Sequence, residues 1–296
     1  MNVSLPDGKQ LDLPAHATAS DAAKAIGPGL AKAAIGAIVG GDLYDLMKPL
    51  PDGAELRILT EKDPEYQQLF RHTLAHVMAQ AVKELFKERD YNPESVKLAI
   101  GPVIENGFYY DIDAPEPIRE EDLPTIEEKM RRIIGENLPL HRFVLPRDEA
   151  LERYKGIDPY KTELIESLPL GEEISFYQQG DEGNGFTDLC RGPHVPSTGR
   201  IPPYFKLTSI AGAYWRGDSS RPMLQRIYGI AFRTKEELEH YLWQQEEAKR
   251  RDHRKLGAEL DLFTISEEVG KGLPLWLPKG AFIRRQLEQY MYEKEL

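Results

Sequence analysis

The stretch that most constrains this chain is residues 63–88, DPEYQQLFRHTLAHVMAQAVKELFKE. Its pattern predicts one long helix. Asp63 suits the N-cap, Pro64 the first helical position, and Glu65 the first turn, where the helix dipole favours an acid. Phe70, Leu74, Val77, Met78, Ala81 and Leu85 recur at helical spacing and make one apolar stripe. His72 and His76 are four apart and share a face. A step of about 100° per residue puts that face roughly opposite the stripe. The expectation is two histidines that point away from the helix's own core. The small Ala75 and Ala79 beside them leave room for an approaching group. Two solvated histidines account for the pattern equally well.

The sequence has 296 residues, enough for two or three domains with substantial cores. Its 41% hydrophobic and 29% charged content is that of a soluble globular protein. A single cysteine excludes an internal disulfide framework and points to a reducing, cytoplasmic compartment. The start, MNVSLPDGKQ, lacks the basic and apolar regions of a signal peptide. No run of about 18 apolar residues exists, so no membrane span and no membrane partner is expected. A net charge of −11 argues against indiscriminate polyanion binding. It leaves room for a local basic surface, because such a patch acts within about 8–10 Å.

Residues 1–62 read as a small separate domain. VSLPDGKQLDLP predicts a hairpin around Pro6-Asp7-Gly8. Ser20-Asp21 starts a helix that Gly27-Pro28-Gly29 ends. AIGAIVGGDLYDL predicts a strand pair around Gly40-Gly41, and AELRILT a closing strand. Hairpin, helix, hairpin and strand in that order suit a β-grasp, ubiquitin-like module. His16 stands alone and reads as a surface residue.

The larger region that follows alternates element types. Residues 113–124, DAPEPIREEDLP, read as a solvated connection. PTIEEKMRRIIGE reads as a helix with apolar Ile126, Met130, Ile133 and Ile134. FVLPRDEALERYKG gives a strand and a helix, and residues 174–218 read as strands and turns. The fold class is therefore α+β with a mostly antiparallel sheet. From Thr234 a capping box opens another helix, which meets the basic run Lys249, Arg250, Arg251, Arg254 and Lys255. Such a run is either a solvated helix face or a contact for RNA phosphates. The last stretch, LPLWLPKGAFIRRQLEQYMYEKEL, turns from a loop into an amphipathic helix and stops mid-pattern, as if the remainder of a domain lay beyond it.

The only cysteine sits in Asp188-Leu189-Cys190-Arg191-Gly192-Pro193-His194. Gly192-Pro193 bends the chain, so Cys190 and His194 can converge on one point. His72, His76, Cys190 and His194 then form a quartet held by one helix and one loop. Three chemistries fit. One thiol and three imidazoles are zinc-ligand types, and zinc polarises a water or an ester carbonyl. The imidazoles could instead act as bases toward a water. Cys190 could also be a nucleophile activated by His194. A buried Cys beside a hydrogen-bonded loop His is the structural alternative.

His72-Thr73-Leu74-Ala75-His76, followed by Cys190-Arg191-Gly192-Pro193-His194, resembles the editing domain of bacterial threonyl-tRNA synthetases, itself related to that of alanyl-tRNA synthetases. LPDG near the start, IGPGLAKA, LAIGPVIENGFYYD, PYK, AGAYWRGD, MLQRIYG and KRRDHRKLG resemble the same family in the same order. The resemblance implies a TGS (β-grasp) domain at 1–62, an editing domain at 63–225, a linker helix at 226–256, and the opening of a class II catalytic domain at 257–296. It implies hydrolysis of seryl-tRNA by His72, His76, Cys190 and His194, with Tyr110, Lys161 and Asp188 beside them. Read from the residues alone, Tyr110 could be a sheet aromatic, Lys161 a surface charge and Asp188 a turn residue. Under the resemblance, Lys161 would meet the oxyanion or the terminal ribose and Asp188 the substrate ammonium. The implied partner is the 3′ end and acceptor arm of tRNA, with Arg191, Arg216 and the 249–255 cluster as contacts. Arg216 and Asp218 could equally pair with each other as a brace. Editing by this branch is expected to need no cofactor, zinc at the quartet being the alternative. The family's ATP, magnesium and catalytic-domain zinc sites, and its homodimer contacts, would lie largely beyond Leu296. On that basis the chain would not form threonyl-tRNA, and it could be monomeric. A non-catalytic tRNA-binding module remains a competing reading.

Overall fold

The computed structural model describes residues 1–181 and 185–295; the part of the strand-and-turn reading at 182–184 lies outside them. The described chain is α+β, with antiparallel sheets, and divides into two compact units, Met1–Lys235 and Glu236–Leu296.

In the first unit, β1 (Asn2–Ser4) and β2 (Gln10–Asp12) pair as the expected hairpin. α1 (Ala19–Ile26) starts slightly earlier than Ser20 because Thr18 caps it. The Thr18 hydroxyl accepts from the Asp21 amide at 3.2 Å, and the Asp21 carboxylate accepts from the Thr18 amide at 3.1 Å. A second helix, α2 (Pro28–Ala33), was not legible as such. Pro28 ends α1 but also suits the first position of a helix, where a missing N–H costs nothing. β3 (Ala34–Val39), β4 (Asp42–Tyr44) and β5 (Leu56–Thr60) form a sheet in the order β4-β3-β5. Gly40 and Gly41, with φ of +59° and +96°, make the two-residue turn between β3 and β4. A parallel bridge from Ser4 to Glu55 sets β1 beside the start of β5. With α1 over a core of Val3, Ala22, Ala37 and Leu56, this is a β-grasp arrangement.

α3 (Tyr66–Glu88) begins three residues later than Asp63. The Asp63 carboxylate is occupied by the Thr60 amide at 2.7 Å and the Thr60 hydroxyl at 2.9 Å, so it closes the turn out of β5 instead of capping the helix. Phe70, Leu74, Val77 and Met78 are buried as expected. Thr73, Ala75, His76 and Ala79 on the opposite side are buried too. The expectation that the histidine face lies outside a core is therefore corrected at His76, which later chain covers, whereas His72 stays half-buried and Gln68, Lys87 and Glu88 are exposed.

The later chain follows in order. β6 (Lys97–Leu98), β7 (Val103–Ile104), β8 (Gly107–Asp113) and α4 (Leu123–Gly135) come first. β9 (Leu140–Leu145), α5 (Arg147–Tyr154), α6 (Pro159–Ser167), β10 (Ile174–Gln179) and β11 (Phe186–Leu189) come next. β12 (Phe205–Tyr214) and β13 (Met223–Ala231) complete it. One sheet runs β12-β13-β8-β6, with β7 on β8; the other runs β11-β10-β9. α4 buries Ile126, Met130 and Ile133 against α3. The 113–124 connection is only partly solvated. Ile118 is buried, and its amide and carbonyl are both held by the Gln225 side chain, at 2.7 and 2.9 Å.

The second unit holds α7 (Lys235–Arg250), α8 (His253–Glu259), the pair β14 (Phe263–Ile265) and β15 (Pro274–Trp276), and α9 (Pro278–Glu295). No helix is long and apolar enough to cross a membrane among the described residues.

Thr18→Ala removes the α1 cap and is expected to lower unfolding stability by about 1 kcal/mol. Denaturant titration checks this, and a change within experimental error would contradict the capping role.

Candidate active site

The loop after β11 lies against the His72–His76 face of α3. Gly192 has a φ of +71°, and the Tyr177 hydroxyl occupies the space that a Cβ at this position would fill. Glycine is therefore required there on two grounds. The Gly192–Pro193 peptide is cis.

Two imidazoles converge on one sulfur. Cys190 Sγ lies 3.3 Å from His72 Nε2 and 3.3 Å from His194 Nε2. The outer ring nitrogens assign the tautomers. His72 Nδ1 is 3.1 Å from the Pro193 carbonyl, which can only accept. The Thr73 hydroxyl donates to the Leu69 carbonyl at 2.9 Å, so it accepts from His194 Nδ1 at 3.2 Å. Both Nδ1 atoms thus carry the proton, and both Nε2 lone pairs face the thiol. His76 completes the quartet; all four donor atoms lie within 4.8 Å of one another. Its Nδ1 is buried without a hydrogen-bond partner among the described residues.

A second cluster adjoins the first. Asp188, on β11, accepts from Lys161 Nζ at 2.6 Å through Oδ1 and from the Tyr110 hydroxyl through Oδ2. Lys161 Nζ is also 3.3 Å from the Tyr110 oxygen. Tyr110, Lys161 and Asp188 are exposed by 1%, 2% and 2%, so the surface-charge and turn-residue alternatives fail. Tyr110 is a sheet aromatic on β8 and a hydrogen-bond donor at once. Asp158 was missed in the sequence. It caps α6 by accepting from the Tyr160 and Lys161 amides at 3.0 and 3.1 Å, and it holds the Leu98 amide at 3.0 Å. The Asp158-Pro159 pair was a readable helix start. Thr73 was also missed, although it stands between the two histidines. A cleft of about 250 Å³ opens beside His72, lined by Leu43, Gln68, Pro102, Val103 and Pro193 among others.

Burial sets the protonation states. It pushes His76 down from its ordinary 6.5 to about 3 and lowers His72 and His194 as well. His76 Nε2 is 3.8 Å from Asp188 Oδ2, but a neutral imidazole makes no ion pair. Burial also pushes the Cys190 thiol up to about 12. Burial, the largest single influence, would raise Asp188; the Lys161 ammonium, the nearby His76 and the hydrogen bonds from Lys161 and Tyr110 together outweigh it, and the carboxyl stays below its usual range.

The expected RNA contacts are dispersed. Arg191 is exposed and pairs with Glu172. Arg216 pairs with Glu163 at 3.1 Å and bonds Ser167 at 3.1 Å, which corrects the Arg216–Asp218 brace. Asp218 instead holds the Ser220 amide and hydroxyl, within its own turn. Lys249, Arg250, Arg251, Arg254 and Lys255 belong to the other unit. There Arg250 and Arg251 share Glu247, and Arg254 pairs with Asp252.

Comparison with known sequences accords with this geometry. Residues 1–60 match the TGS domain family, and residues 174–228 match the family described as the threonyl and alanyl tRNA synthetase second additional domain. The threonine–tRNA ligase of Thermus thermophilus is 70% identical over 296 residues, covering 100% of this chain and 45% of that protein. The ligase of Deinococcus radiodurans is 59% identical with the same coverage, and that of Halalkalibacterium halodurans 53% identical over 44% of its length. The chain thus spans a little under half the length of the curated relatives it matches.

Two buried histidines, His76 and His194, with the half-buried His72 beside them, dictate a pH dependence. The unfolded chain takes up protons near the ordinary 6.5, whereas His76 in the folded chain does so only near 3, so stability falls as pH drops below 6.5. The slope is up to about 1.4 kcal/mol per pH unit for each such histidine. Denaturant titrations in chelating buffer between about pH 6.5 and 5 should show the fall, and His76→Gln should reduce its slope. A flat profile would contradict the assigned protonation.

Proposed function

We propose that this chain, which corresponds to the N-terminal region of a bacterial threonine–tRNA ligase, hydrolyses the ester of serine mischarged onto the tRNA for threonine. The observation that carries the reading is the convergence of His72, His76, Cys190 and His194 beside the buried Lys161–Asp188–Tyr110 cluster. The proposed division is a TGS domain at 1–62, an editing domain at 63–225, a linking helix at 226–256 and the opening of the catalytic domain from 257. The 3′ end of the tRNA is the proposed partner, in the cytoplasm.

The chemical need is plain. Serine lacks one methyl of threonine, and a synthetic pocket extracts only about 1–3 kcal/mol from that group. A second pocket can reverse the sieve by admitting the smaller ester. Hydrolysis then needs a positioned water and donors for the oxyanion. His76 holds the water: its Nδ1 has no hydrogen-bond partner among the described residues. A basicity near 3 suits it to orienting a water better than to deprotonating one. His72 and His194 fix the thiol side of the pocket through their tied Nδ1 atoms. Cys190 shapes the pocket and is not the nucleophile, since a thiol near 12 is thiolate only about once in 10⁵ molecules at pH 7. Lys161 has three N–H donors, two of them directed at Asp188 and Tyr110, and the third serves the oxyanion or the terminal ribose. Asp188 has both oxygens engaged but retains lone pairs that a substrate ammonium can share.

One observation favours a second reading, zinc-dependent hydrolysis. Two imidazole lone pairs face the same sulfur at 3.3 Å, near the roughly 3.5 Å expected between ligands of tetrahedral zinc. Each Nδ1 is tied outward, as metal-bound imidazoles require. The 4.8 Å spread of the quartet is looser than a closed site. Bound zinc would polarise the ester carbonyl or the water. Elemental analysis of the purified chain decides: about one zinc per chain with hydrolysis lost to chelator supports this reading, and neither result supports the water-only one.

The main test is deacylation of seryl-tRNA by the chain. His76→Ala and Cys190→Ala should each slow it by about 10²-fold, with threonyl-tRNA spared by the unaltered protein. Full activity in both variants, or binding without hydrolysis by the unaltered chain, would overturn the proposal.

A further inference from the structure

We infer that Asp45, which lies in the TGS module directly after β4, is a positioning residue for the hydrolytic pocket, acting through Tyr177 on His194. The inference rests on the hydrolytic reading above and extends it to the neighbouring module.

Asp45 is 7% exposed, unusual for a carboxylate on a turn, and its partners explain why. Oδ1 accepts from the Met47 amide at 2.8 Å, which locks the turn and aims the carboxylate. Oδ2 accepts from the Tyr177 hydroxyl at 2.8 Å, a contact across 132 residues of sequence. The same oxygen lies 3.5 Å from the His194 amide, a long contact. Tyr177 is 1% exposed, on β10. Its ring centroid is 4.4 Å from that of His194, and its hydroxyl rests on Gly192. The phenol therefore touches both ends of the bend that presents His194 to the Cys190 sulfur. Burial and the Asp45 carboxylate hold the phenol protonated, so it stays a donor.

Without Asp45 the Tyr177 hydroxyl would be a buried donor with no acceptor, and the ring would rotate or shift to find one. His194 packs on that ring, and its Nε2 sets the far side of the quartet. A displacement of a fraction of an ångström there would loosen the geometry that holds substrate and water. The TGS module would thus be part of the pocket's support.

The test uses the whole 296-residue chain, seryl-tRNA, and the variants Asp45→Ala, Asp45→Asn, Tyr177→Phe and the Asp45→Ala/Tyr177→Phe double. If Asp45 acts through Tyr177, each of the two deleting singles lowers kcat about 10-fold with KM little changed, and the double is no slower than the slower single. Asp45→Asn keeps one acceptor oxygen in place of two, so it recovers only part of the loss. Wild-type rates in both deleting singles, or a double that multiplies the two losses, would overturn the inference. Tyr177→Phe keeps the ring and removes only the hydroxyl, so it decides alone if Asp45→Ala does not fold. Should the unaltered chain fail to hydrolyse seryl-tRNA, the functional reading fails first. The histidine-ring NMR signals then judge the positioning separately. A shifted His194 signal in Asp45→Ala and Tyr177→Phe, with His240 unmoved, supports it, and an unmoved His194 signal overturns it.

Discussion

A buried carboxylate has to be answered, and Asp188 is the charge around which this molecule is arranged. Taken from water alone it would cost several kcal/mol or accept a proton. Lys161 and Tyr110 meet it instead, from α6 and β8, while Asp188 itself sits on β11. The three elements come from different parts of the chain, and the ion pair draws them over one face of α3. Asp158 serves the same end from below: by capping α6 and holding the Leu98 amide it fixes where Lys161 can point. Removing one partner of such a pair typically costs about 3–5 kcal/mol, more than any single surface contact supplies.

The chemistry follows from the same burial. A site dry enough to make the Lys161–Asp188 pair strong also lowers the three imidazoles and raises the thiol. Nucleophilic cysteine chemistry and imidazolium chemistry are both disfavoured at neutral pH. What remains is a set of neutral, oriented hydrogen-bonding groups around one buried cation, a setting suited to a positioned water and a developing oxyanion. The carboxylate that organises the fold also keeps that cation in place.

Much of this was legible in the sequence, and the gaps have physical causes. The β-grasp module could be read because its turns carry Pro, Asp and Gly at positions that demand them, as at Gly8, Gly40 and Gly41. The quartet could be read because His72 and His76 share a helical face and Cys190 and His194 flank a Gly-Pro bend. The burial of that face could not, since periodicity reports only which residues favour a core, and the loop at 190–194 that meets the histidines lies more than a hundred residues further along the chain. The α3 start was misplaced because Asp63 had a stronger local use, closing the Thr60 turn. Arg216 was misassigned because Glu163, its partner, lies far away in sequence while Asp218 is near. Asp45 and Tyr177 gave no signal at all, for a single long-range hydrogen bond leaves no period and no motif.

One face of α3, the 190–194 loop and the Lys161–Asp188–Tyr110 cluster are proposed to form a single ester-hydrolysing pocket. A crystal structure of the chain with a non-hydrolysable 3′-seryl-adenosine analogue tests it most directly. The seryl group is expected between the histidine quartet and Lys161, with an ordered water held by His76 Nδ1 and facing the carbonyl carbon. An analogue bound elsewhere, or one bound there with no water within reach of His76, would contradict it.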